Sequence, residues 1–188
     1  MKLIVAVDQH WGIGCNGELL ELIPPDMKYF KEKTMGKVVV MGKGTFESLP
    51  GRKPLQNRMN IVVTKSVQQD GEGIILCSSL AELFSVLSGY NKDDIFIIGG
   101  ESIYKQCMQY CSEAYITKIE KEYRADKYFL DLDSHPQWKC VEEGCMQTYK
   151  DIAFKFTVYK NLDPSEWRIP NEGRFMHMAV ANHKLRRR

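Results

Sequence analysis

The chain has 188 residues, of which 44% are apolar, and its 26 basic and 24 acidic side chains leave a formal net charge of +2. A chain of this length forms about one domain and buries enough surface to need no disulfide or metal for its core. The composition excludes collagen-like, coiled-coil and long low-complexity proteins. No apolar run approaches the roughly 18 residues of a membrane span.

Strands and helices alternate along the chain. Apolar and β-branched runs predict six strands, at Leu3–Asp8, Lys37–Met41, Asn60–Thr64, Ile74–Cys77, Asp94–Ile98 and Glu113–Ile119. Proline, acidic and capping signals predict four helices, at Pro25–Thr34, Thr45–Ser48, Ser79 to about Ser88, and Glu101–Tyr110. Residues 9–23, with three glycines and no clear period, predict a long loop. Trp138–Cys145 and Ala153–Lys160 predict a closing antiparallel pair, so the expected sheet is mostly parallel with an antiparallel edge.

Three glycine-bearing segments follow predicted strands. Gly12–Gly17 matches G-x-G-x-x-G, but two prolines and no helix follow it, so it predicts a loop over a ligand instead of a dinucleotide-binding turn. Gly42–Thr45 and Gly99–Ser102 each enter a helix, where backbone N–H groups favour an anion. Each segment alone is also explained as an ordinary strand–helix turn. Two such turns at the ends of parallel strands indicate a nucleotide site.

Asp26 is the acidic residue that stands out, in the first turn of the predicted helix 25–34. Helical spacing places it on one side of the helix with Met27 and Phe30. It is either a solvated N-terminal acid or a buried functional carboxylate. If it is buried, desolvation raises its pKa, while the helix terminus lowers it.

The basic charge is concentrated at the C-terminal end. Residues 163–188 carry six basic and three acidic side chains, whereas residues 1–162 carry 20 and 21. The near-neutral body argues against a nucleic-acid-binding surface. The terminal segment Lys184–Arg188 is either solvated or able to bind a polyanion. We therefore predict one domain over 1–162 and a basic C-terminal extension over 163–188, whose role is unknown.

Cysteine spacing gives no sign of a metal site or a disulfide framework. The six cysteines, at 15, 77, 107, 111, 140 and 145, form no Cys-x-x-Cys pair, and no His lies at zinc-finger spacing from any pair. The N-terminal apolar run ends at Asp8, which is too short for a signal peptide. We expect reduced cysteines in a cytoplasmic protein.

Several of these segments occur in the order and spacing of a known family. They are Ala6–Asp8 with Gly12–Gly14, Ile23–Lys31, Met41–Ser48, Ile97–Tyr104, Tyr115–Thr117 and Asp126. Over about 1–162, the chain resembles bacterial-type dihydrofolate reductase. The resemblance implies a single-domain α/β fold with a mostly parallel eight-stranded sheet, about four flanking helices and an antiparallel C-terminal strand. It also implies NADPH-dependent reduction of 7,8-dihydrofolate to 5,6,7,8-tetrahydrofolate, by hydride transfer to C6 with protonation at N5, for one-carbon metabolism and thymidylate synthesis.

The resemblance implies a pterin site at Asp26, whose carboxylate holds the 2-amino group and N3 and promotes N5 protonation through water. Thr117 would hydrogen-bond Asp26, and Leu19 and Glu21 would complete the catalytic set. Arg58 would pair with the glutamate α-carboxylate of the substrate, a bidentate task that suits a guanidinium. The residues implied to contact the substrate are Ile4, Ala6, Met27, Phe30, Leu49, Leu55, Arg58, Ile98 and Tyr104.

The resemblance also implies NADPH as cofactor and no metal. The positions implied on the nicotinamide side are Ala6, Ile13, Gly14, Asn16, Gly17 and Leu19. Lys43, Gly44 and Thr45 are implied to hold the pyrophosphate, with Gly42 also among the cofactor positions. Thr64, Lys65 and Ser66 are implied to face the 2′-phosphate, with Lys65 supplying the charge. Those implied to complete the phosphate cradle are Gly99, Gly100, Glu101, Ser102 and Ile103. The family has a cis peptide at the position of Gly99-Gly100.

Two features depart from the family pattern. The family usually has Leu-Pro-Trp where this chain has Leu19-Leu20-Glu21, and its indole helps to position a water near the pterin. Glu21 would place a second carboxylate near Asp26, and like charges raise a pKa. We therefore predict an altered pH–rate profile and altered inhibitor binding, which an unchanged profile in a Glu21→Trp variant would contradict. The second departure is the extension 163–188, which has no counterpart in the family.

Three alternatives stay open at this point. A pyrimidine reductase of riboflavin biosynthesis shares the fold and NADPH, but it would not need Asp26 and Arg58 at these positions. A non-catalytic or altered-specificity NADPH- or pterin-binding relative is compatible with Glu21. A polyanion-binding module would depend on the basic extension. For the favoured reductase we expect dihydrofolate and antifolate inhibitors as partners, no nucleic acid, no membrane and a monomeric state.

Overall fold

The computed structural model describes residues 1–66 and 73–167. These residues form four α-helices, α1 (Pro24–Thr34), α2 (Lys43–Ser48), α3 (Leu80–Leu87) and α4 (Glu101–Cys107). Their strands are β1 (Lys2–Val7), β2 (Gly12–Gly14), β3 (Val38–Gly42), β4 (Met59–Val63), β5 (Ile74–Cys77), β6 (Ile95–Gly99), β7 (Glu113–Ile119), β8 (Lys127–Tyr128), β9 (Trp138–Glu143), β10 (Gln147–Tyr149) and β11 (Ile152–Asn161). None of the helices in these ranges has the length and apolar character needed to cross a membrane.

The main sheet has the order β10-β11-β7-β1-β6-β3-β4-β5, with β9 also paired to β11. All pairs from β7 to β5 are parallel, whereas β11 runs antiparallel to β7. Because β9 and β10 pair with successive parts of β11, the sheet is eight strand positions wide. This arrangement confirms the predicted mostly parallel sheet with four helices and an antiparallel C-terminal strand.

The central strand β3 shows why both faces of the sheet are covered by other elements. All of Val38–Met41 is buried, as expected for a parallel strand covered on both sides. Val38 and Val40 pack in the main core with side chains of α3 and α4, whereas Val39 and Met41 pack in a second cluster with Phe46, Leu49 and Leu55. Successive side chains of β3 therefore pack into the two cores that lie on opposite faces of the sheet.

The predicted elements differ from the observed ones mainly where strands are short. The predicted loop 9–23 contains β2, which pairs with β8 more than 100 residues later. β2, β8 and β10 have two or three residues each, too few to show a hydrophobic period. The predicted helix to Tyr110 ends at Cys107 in a 3₁₀ turn, and β9 ends at Glu143 instead of Cys145.

The first residues of the C-terminal extension lie against the domain. The Ser165 N–H donates to the Gln109 carbonyl at 2.8 Å. The indole of Trp167 stacks on the ring of Phe84, with centroids 5.6 Å apart and planes at 11°, and Lys92 Nζ lies 4.7 Å from its centre. The boundary near Leu162 stays a prediction, and residues 168–188, which carry the basic cluster, lie outside the described residues.

We expect Trp167→Ala to destabilise the domain although it lies beyond the predicted boundary. Because the indole is only partly buried, the loss should be about 1–2 kcal/mol in the free energy of unfolding, below the cost of a fully buried aromatic. Urea denaturation of the full chain measures it. Leu162→Ala, at a side chain that is 61% exposed, is the control and should change stability by less than about 0.5 kcal/mol. Equal stability of the two variants would show that the indole contact contributes nothing.

Candidate active site

Asp26 lies in the first turn of α1 and faces the central sheet. Pro24 and Pro25 precede it at helix positions whose N–H groups have no partner within the helix. The carboxylate is 9% exposed, and its Oδ1 accepts a hydrogen bond from Thr117 Oγ1 at 2.6 Å. Within the described residues Thr117 is its one hydrogen-bond partner, so lone pairs on both oxygens are available to a ligand.

Burial raises the pKa of Asp26 above its usual value, and the hydrogen bond from Thr117 opposes that rise. Of the two interpretations of Asp26, the solvated acid is therefore wrong. Thr117 is held in register because it pairs with Ala6 of β1, in the interior of the sheet. A buried carboxylate with a raised pKa at the edge of an apolar region is typical of a site that binds or transfers protons.

Two neighbouring strands border the region of Asp26. Tyr104 of α4 donates its hydroxyl hydrogen to the Ile4 carbonyl of β1 at 2.7 Å. Burial and the nearby Asp26 charge raise the pKa of Tyr104, so it stays a neutral donor. Ile98 at the end of β6 is partly buried in the same cluster as Leu49 and Leu55. Leu49, Leu55 and Ile98 thus form an apolar surface. An apolar surface with a few polar groups is the usual composition of a small-molecule site.

Arg58 lies in a pocket of about 360 Å³ lined also by Lys31, Lys53 and Leu55. Its Nε donates to Thr34 Oγ1 at 2.8 Å and its Nη1 to the Gln56 carbonyl at 3.2 Å. Burial lowers the pKa of Arg58, but a guanidinium stays charged in proteins. Three cationic side chains in one pocket suit an anionic group such as a carboxylate.

The glycine turns that open α2 and α4 lie next to each other. A Cβ added to Gly42 would lie 3.9 Å from Gly100 N and 3.1 Å from the Ile103 side chain. A Cβ on Gly100 would lie 3.2 Å from Thr45 Oγ1. The Gly99-Gly100 peptide is cis, as the resemblance implies. Small residues therefore leave backbone N–H groups and the Thr45 hydroxyl accessible at one place, a cradle that fits a diphosphate.

A second polar cluster lies beside this cradle. Lys43 Nζ donates to Ser66 Oγ at 3.0 Å, and Ser66 Oγ lies 3.0 Å from Thr64 Oγ1. Lys65 is exposed between the two hydroxyl residues. Two hydroxyls and two ammonium groups are suitable partners for a phosphate monoester, so the residues present fit the adenosine end of NADPH.

The glycine loop between β1 and α1 is fixed by contacts with residues 125–128. Asn16 and Gly17 have φ of 53° and 83°, and Cys15 and Glu18 exchange two backbone hydrogen bonds of 3.0 Å, as in a type I′ hairpin turn. Asp126 anchors this turn, because its N–H donates to the Gly14 carbonyl and its Oδ2 accepts from the Asn16 N–H. Beyond the turn, Leu19 is 59% exposed.

Glu21 makes a contact that differs from the one expected from the sequence. Its Oε2 accepts a hydrogen bond from Tyr123 OH at 3.0 Å. The raised pKa of Asp26 has burial as its cause, so a second carboxylate is not needed to explain it. The structure therefore pairs Glu21 with Tyr123 and not with Asp26. The altered pH–rate profile stays a prediction.

Asp8 is a structural residue that the sequence pattern predicts only as the end of a strand. It is 4% exposed, and its carboxylate accepts hydrogen bonds from the N–H groups of His10, Gly12 and Tyr123 at 2.9, 2.7 and 3.1 Å. An acid directly after an apolar strand and before a glycine is typical of a side chain that caps a turn. That signal predicts the hydrogen bonds from His10 and Gly12, but not the distant one from Tyr123.

Gly12→Ala tests how tightly the glycine loop is packed. An added Cβ would lie 2.7 Å from Ala125 Cβ and 3.0 Å from Asp8 Oδ1, so the loop or residues 125–128 must shift. We expect a loss of about 1–3 kcal/mol in the free energy of unfolding. Gly89→Ala, whose nearest contact would be an ordinary 3.7 Å, serves as control. Denaturation curves of the two variants that coincide would contradict the close packing at Gly12.

Comparisons by family model, by sequence and by structure all match this chain to the same family. Residues 1–161 match the family model described as dihydrofolate reductase. The dihydrofolate reductase of Bacillus subtilis (strain 168) is 34% identical over 168 residues, covering 88% of this chain and 97% of that protein. The enzyme of the same name from Buchnera aphidicola subsp. Acyrthosiphon pisum (strain APS) is 35% identical over 141 residues, covering 75% and 85%. The solved structure of dihydrofolate reductase from Enterococcus faecalis, complexed with NADP(H) and RAB-propyl, superposes with a TM-score of 0.76 at 30% identity, covering 86% of this chain and 96% of that one.

Proposed function

Because the chain belongs to the dihydrofolate reductase family, we propose that it reduces 7,8-dihydrofolate to 5,6,7,8-tetrahydrofolate with NADPH. The observation that carries this proposal is the buried Asp26 carboxylate, oriented by Thr117 and with lone pairs left for a ligand. A pterin presents an amino group and a ring nitrogen side by side, and a carboxylate is able to bind both. The resemblance inferred from the sequence is confirmed at the level of the family.

We place the pterin between Asp26 and the apolar side chains that surround it. Leu49, Leu55 and Ile98 supply one wall, and the hydrogen bond from Tyr104 to Ile4 fixes the position of the opposite edge. A bound pterin displaces water here, which strengthens its attraction to the Asp26 charge. The full set of proposed substrate contacts is Ile4, Ala6, Met27, Phe30, Leu49, Leu55, Arg58, Ile98 and Tyr104.

NADPH supplies the hydride for C6 of the pterin when it is bound. In this proposal Ala6, Ile13 and Leu19 flank the nicotinamide end. The adjacent glycine turns hold the pyrophosphate, and the Lys43, Thr64 and Ser66 cluster holds the 2′-phosphate. The remaining proposed contacts are Gly14, Asn16, Gly17, Gly42, Gly44, Thr45, Lys65, Gly99, Gly100, Glu101, Ser102 and Ile103. Because the proposed 2′-phosphate contacts have no partner in NADH, we expect a preference for NADPH over NADH.

Asp26 is proposed to promote protonation at N5 through water. Its buried negative charge stabilises the positive charge that develops on the pterin, and this attraction is strong where water is excluded. Thr117 keeps the carboxylate in position, so it acts as a positioning residue. Leu19 and Glu21 complete the proposed catalytic set from the glycine-loop side.

The product carries one-carbon units for thymidylate synthesis, and antifolate inhibitors are expected to occupy the pterin pocket. We further propose a cytoplasmic monomer with no nucleic-acid partner. Support for the cytoplasm comes from the six cysteines, which are all free and suit a reducing compartment. Sedimentation equilibrium of the full chain tests the monomer, because a stable dimer would double the measured mass.

The test of the proposed function is the loss of NADPH absorbance in the presence of dihydrofolate. Turnover that needs both compounds, with tetrahydrofolate as product, is the expected result. NADPH binding measured by fluorescence, without turnover, would favour the non-catalytic or altered-specificity relative. A substitution of NADH for NADPH in the same assay tests the role proposed for the Lys43 cluster, because equal KM values would contradict it.

A further inference from the structure

Residues 120–126 hold the glycine loop through several separate hydrogen bonds. Most of them involve the backbone near the start of the loop, at Asp8, Gln9, Gly14 and Asn16. One bond reaches further, from Tyr123 OH to Glu21 Oε2 at 3.0 Å. Glu21 lies five residues before Asp26 and occupies the position where the family usually has tryptophan. This contact thus gives Glu21, a departure from the family pattern, a partner in the fold.

The bond from Tyr123 is the main restraint on residues 19–22. In the part of the chain that the structure describes, it is the one hydrogen bond that joins these four residues to a distant segment. Of their three leucines, Leu19 and Leu22 are 59% and 64% exposed, and Leu20 is partly buried. Packing therefore contributes little to fixing the conformation of residues 19–22. The hydrogen bond of Glu21 contributes a correspondingly larger part of that restraint.

Tyr123 is itself rigidly placed. Its N–H donates to Asp8 Oδ2 at 3.1 Å, and its ring packs against the cluster of Ile23, Ile119, Ile152 and Phe154. Burial, together with the Glu21 charge, raises the pKa of Tyr123 to about 12, so its hydroxyl is protonated at neutral pH. A fixed donor aimed at a carboxylate makes a charge-assisted hydrogen bond, which is stronger than a neutral one.

We propose that Tyr123 is a positioning residue of the reductase, which holds residues 19–22 over the nicotinamide end of the site through Glu21. The inference rests on the proposed function. If the tether is lost, the segment samples other conformations, and the apparent affinity for NADPH falls in proportion to the fraction that remains competent to bind. The hydrogen bond between Glu21 and Tyr123 is the tether that places residues 19–22.

The test is a double-mutant cycle in the full chain. Tyr123→Phe keeps the packed ring and removes the hydroxyl, and we expect it to weaken NADPH binding about fivefold and to lower kcat/KM similarly. In a Glu21→Ala background the same change should have less than about a 1.5-fold effect, because its partner is absent. Glu21→Gln keeps an acceptor oxygen and should restore binding to within about twofold of the original protein.

Tyr128→Phe is the matched control, because it removes a hydroxyl that bonds the Ala125 carbonyl in the same region without touching residues 19–22. It should leave NADPH affinity unchanged. Amide hydrogen exchange of the ligand-free protein supplies a readout that does not depend on catalysis: exchange over residues 19–22 should quicken in Tyr123→Phe and not in Tyr128→Phe.

Two results would overturn the tether. One is an equal loss of affinity from Tyr123→Phe with and without Glu21, and the other is unchanged exchange over residues 19–22. Absence of turnover in the original protein would instead contradict the proposed function, while the exchange comparison would still decide the tether.

Discussion

Asp26→Asn is expected to lower kcat for dihydrofolate reduction by about 10²–10⁴-fold, the range that a positioned proton-transfer group contributes. Asparagine has nearly the same shape, and its side-chain oxygen can still accept the hydrogen bond from Thr117. What it lacks is the buried negative charge and the ability to exchange a proton. NADPH binding should stay within about twofold, because the proposed cofactor contacts lie on other elements.

Glu32→Gln is the matched control for this variant. It removes a carboxylate from the same helix, where Glu32 is exposed and only loosely paired with Lys28 at 3.9 Å. Its kcat should equal that of the original protein. If Asp26→Asn retained more than about a tenth of the original kcat, Asp26 would not be the proton-handling group of the site.

Asp26→Asn is also expected to stabilise the fold at neutral pH. Burial raises the folded-state pKa of Asp26 above the unfolded value near 3.9, so the ionised carboxylate is penalised only in the native protein. The penalty is complete above the folded pKa, and it disappears as pH falls through that value towards about pH 4. Asp26→Asn should therefore gain about 1 kcal/mol at pH 7 and nothing in acid, measured by urea denaturation across this range.

A stability deficit of Asp26→Asn at neutral pH would contradict this argument. It would mean that the ionised carboxylate stabilises the fold, which is the opposite of the effect that burial predicts. Activity and stability would then change in the same direction. The expected opposite changes are typical of a residue that is retained for function and not for folding.

The elements that the sequence predicts well are those with a strong local signal. The run Val38–Met41 is buried along its whole length, and the proline pair before Asp26 marks the start of α1. The Asp26–Thr117 hydrogen bond spans 91 residues, and only the resemblance to a family suggested it. Local patterning therefore identifies the sheet and the candidate acid, but not the partner that orients the acid.

The parts that the sequence does not predict depend on contacts between distant segments. β2 has three residues and exists because it pairs with β8. Asp8 and Glu21 both bind Tyr123, across 115 and 102 residues. Nothing in the local sequence around Tyr123 indicates these contacts, since an aromatic residue in a charged segment is equally compatible with solvent exposure. Glu21 is visible as a departure from the family, whereas its partner becomes visible only in the fold.

Arg58→Leu is expected to raise the KM for dihydrofolate by about 100-fold while kcat changes less than about threefold. The guanidinium is fixed before substrate arrives, by hydrogen bonds to Thr34 and Gln56 and by the Phe30 ring 5.6 Å away. Its remaining N–H groups are proposed to bind the glutamate α-carboxylate, far from the reacting carbon. A contact present equally in ground and transition states changes KM and not kcat.

Two comparisons separate this role from a general loss of positive charge. Arg52→Leu removes a neighbouring exposed cation that does not line the pocket, and its KM should stay within about twofold. Arg58→Lys keeps the charge but loses the planar fork, so an intermediate rise of about tenfold is expected. A dihydropterin without the glutamyl group should have the same KM in all three variants as in the original protein. If its KM rose with Arg58→Leu as much as that of dihydrofolate, Arg58 would be supporting the pterin pocket and not binding the carboxylate.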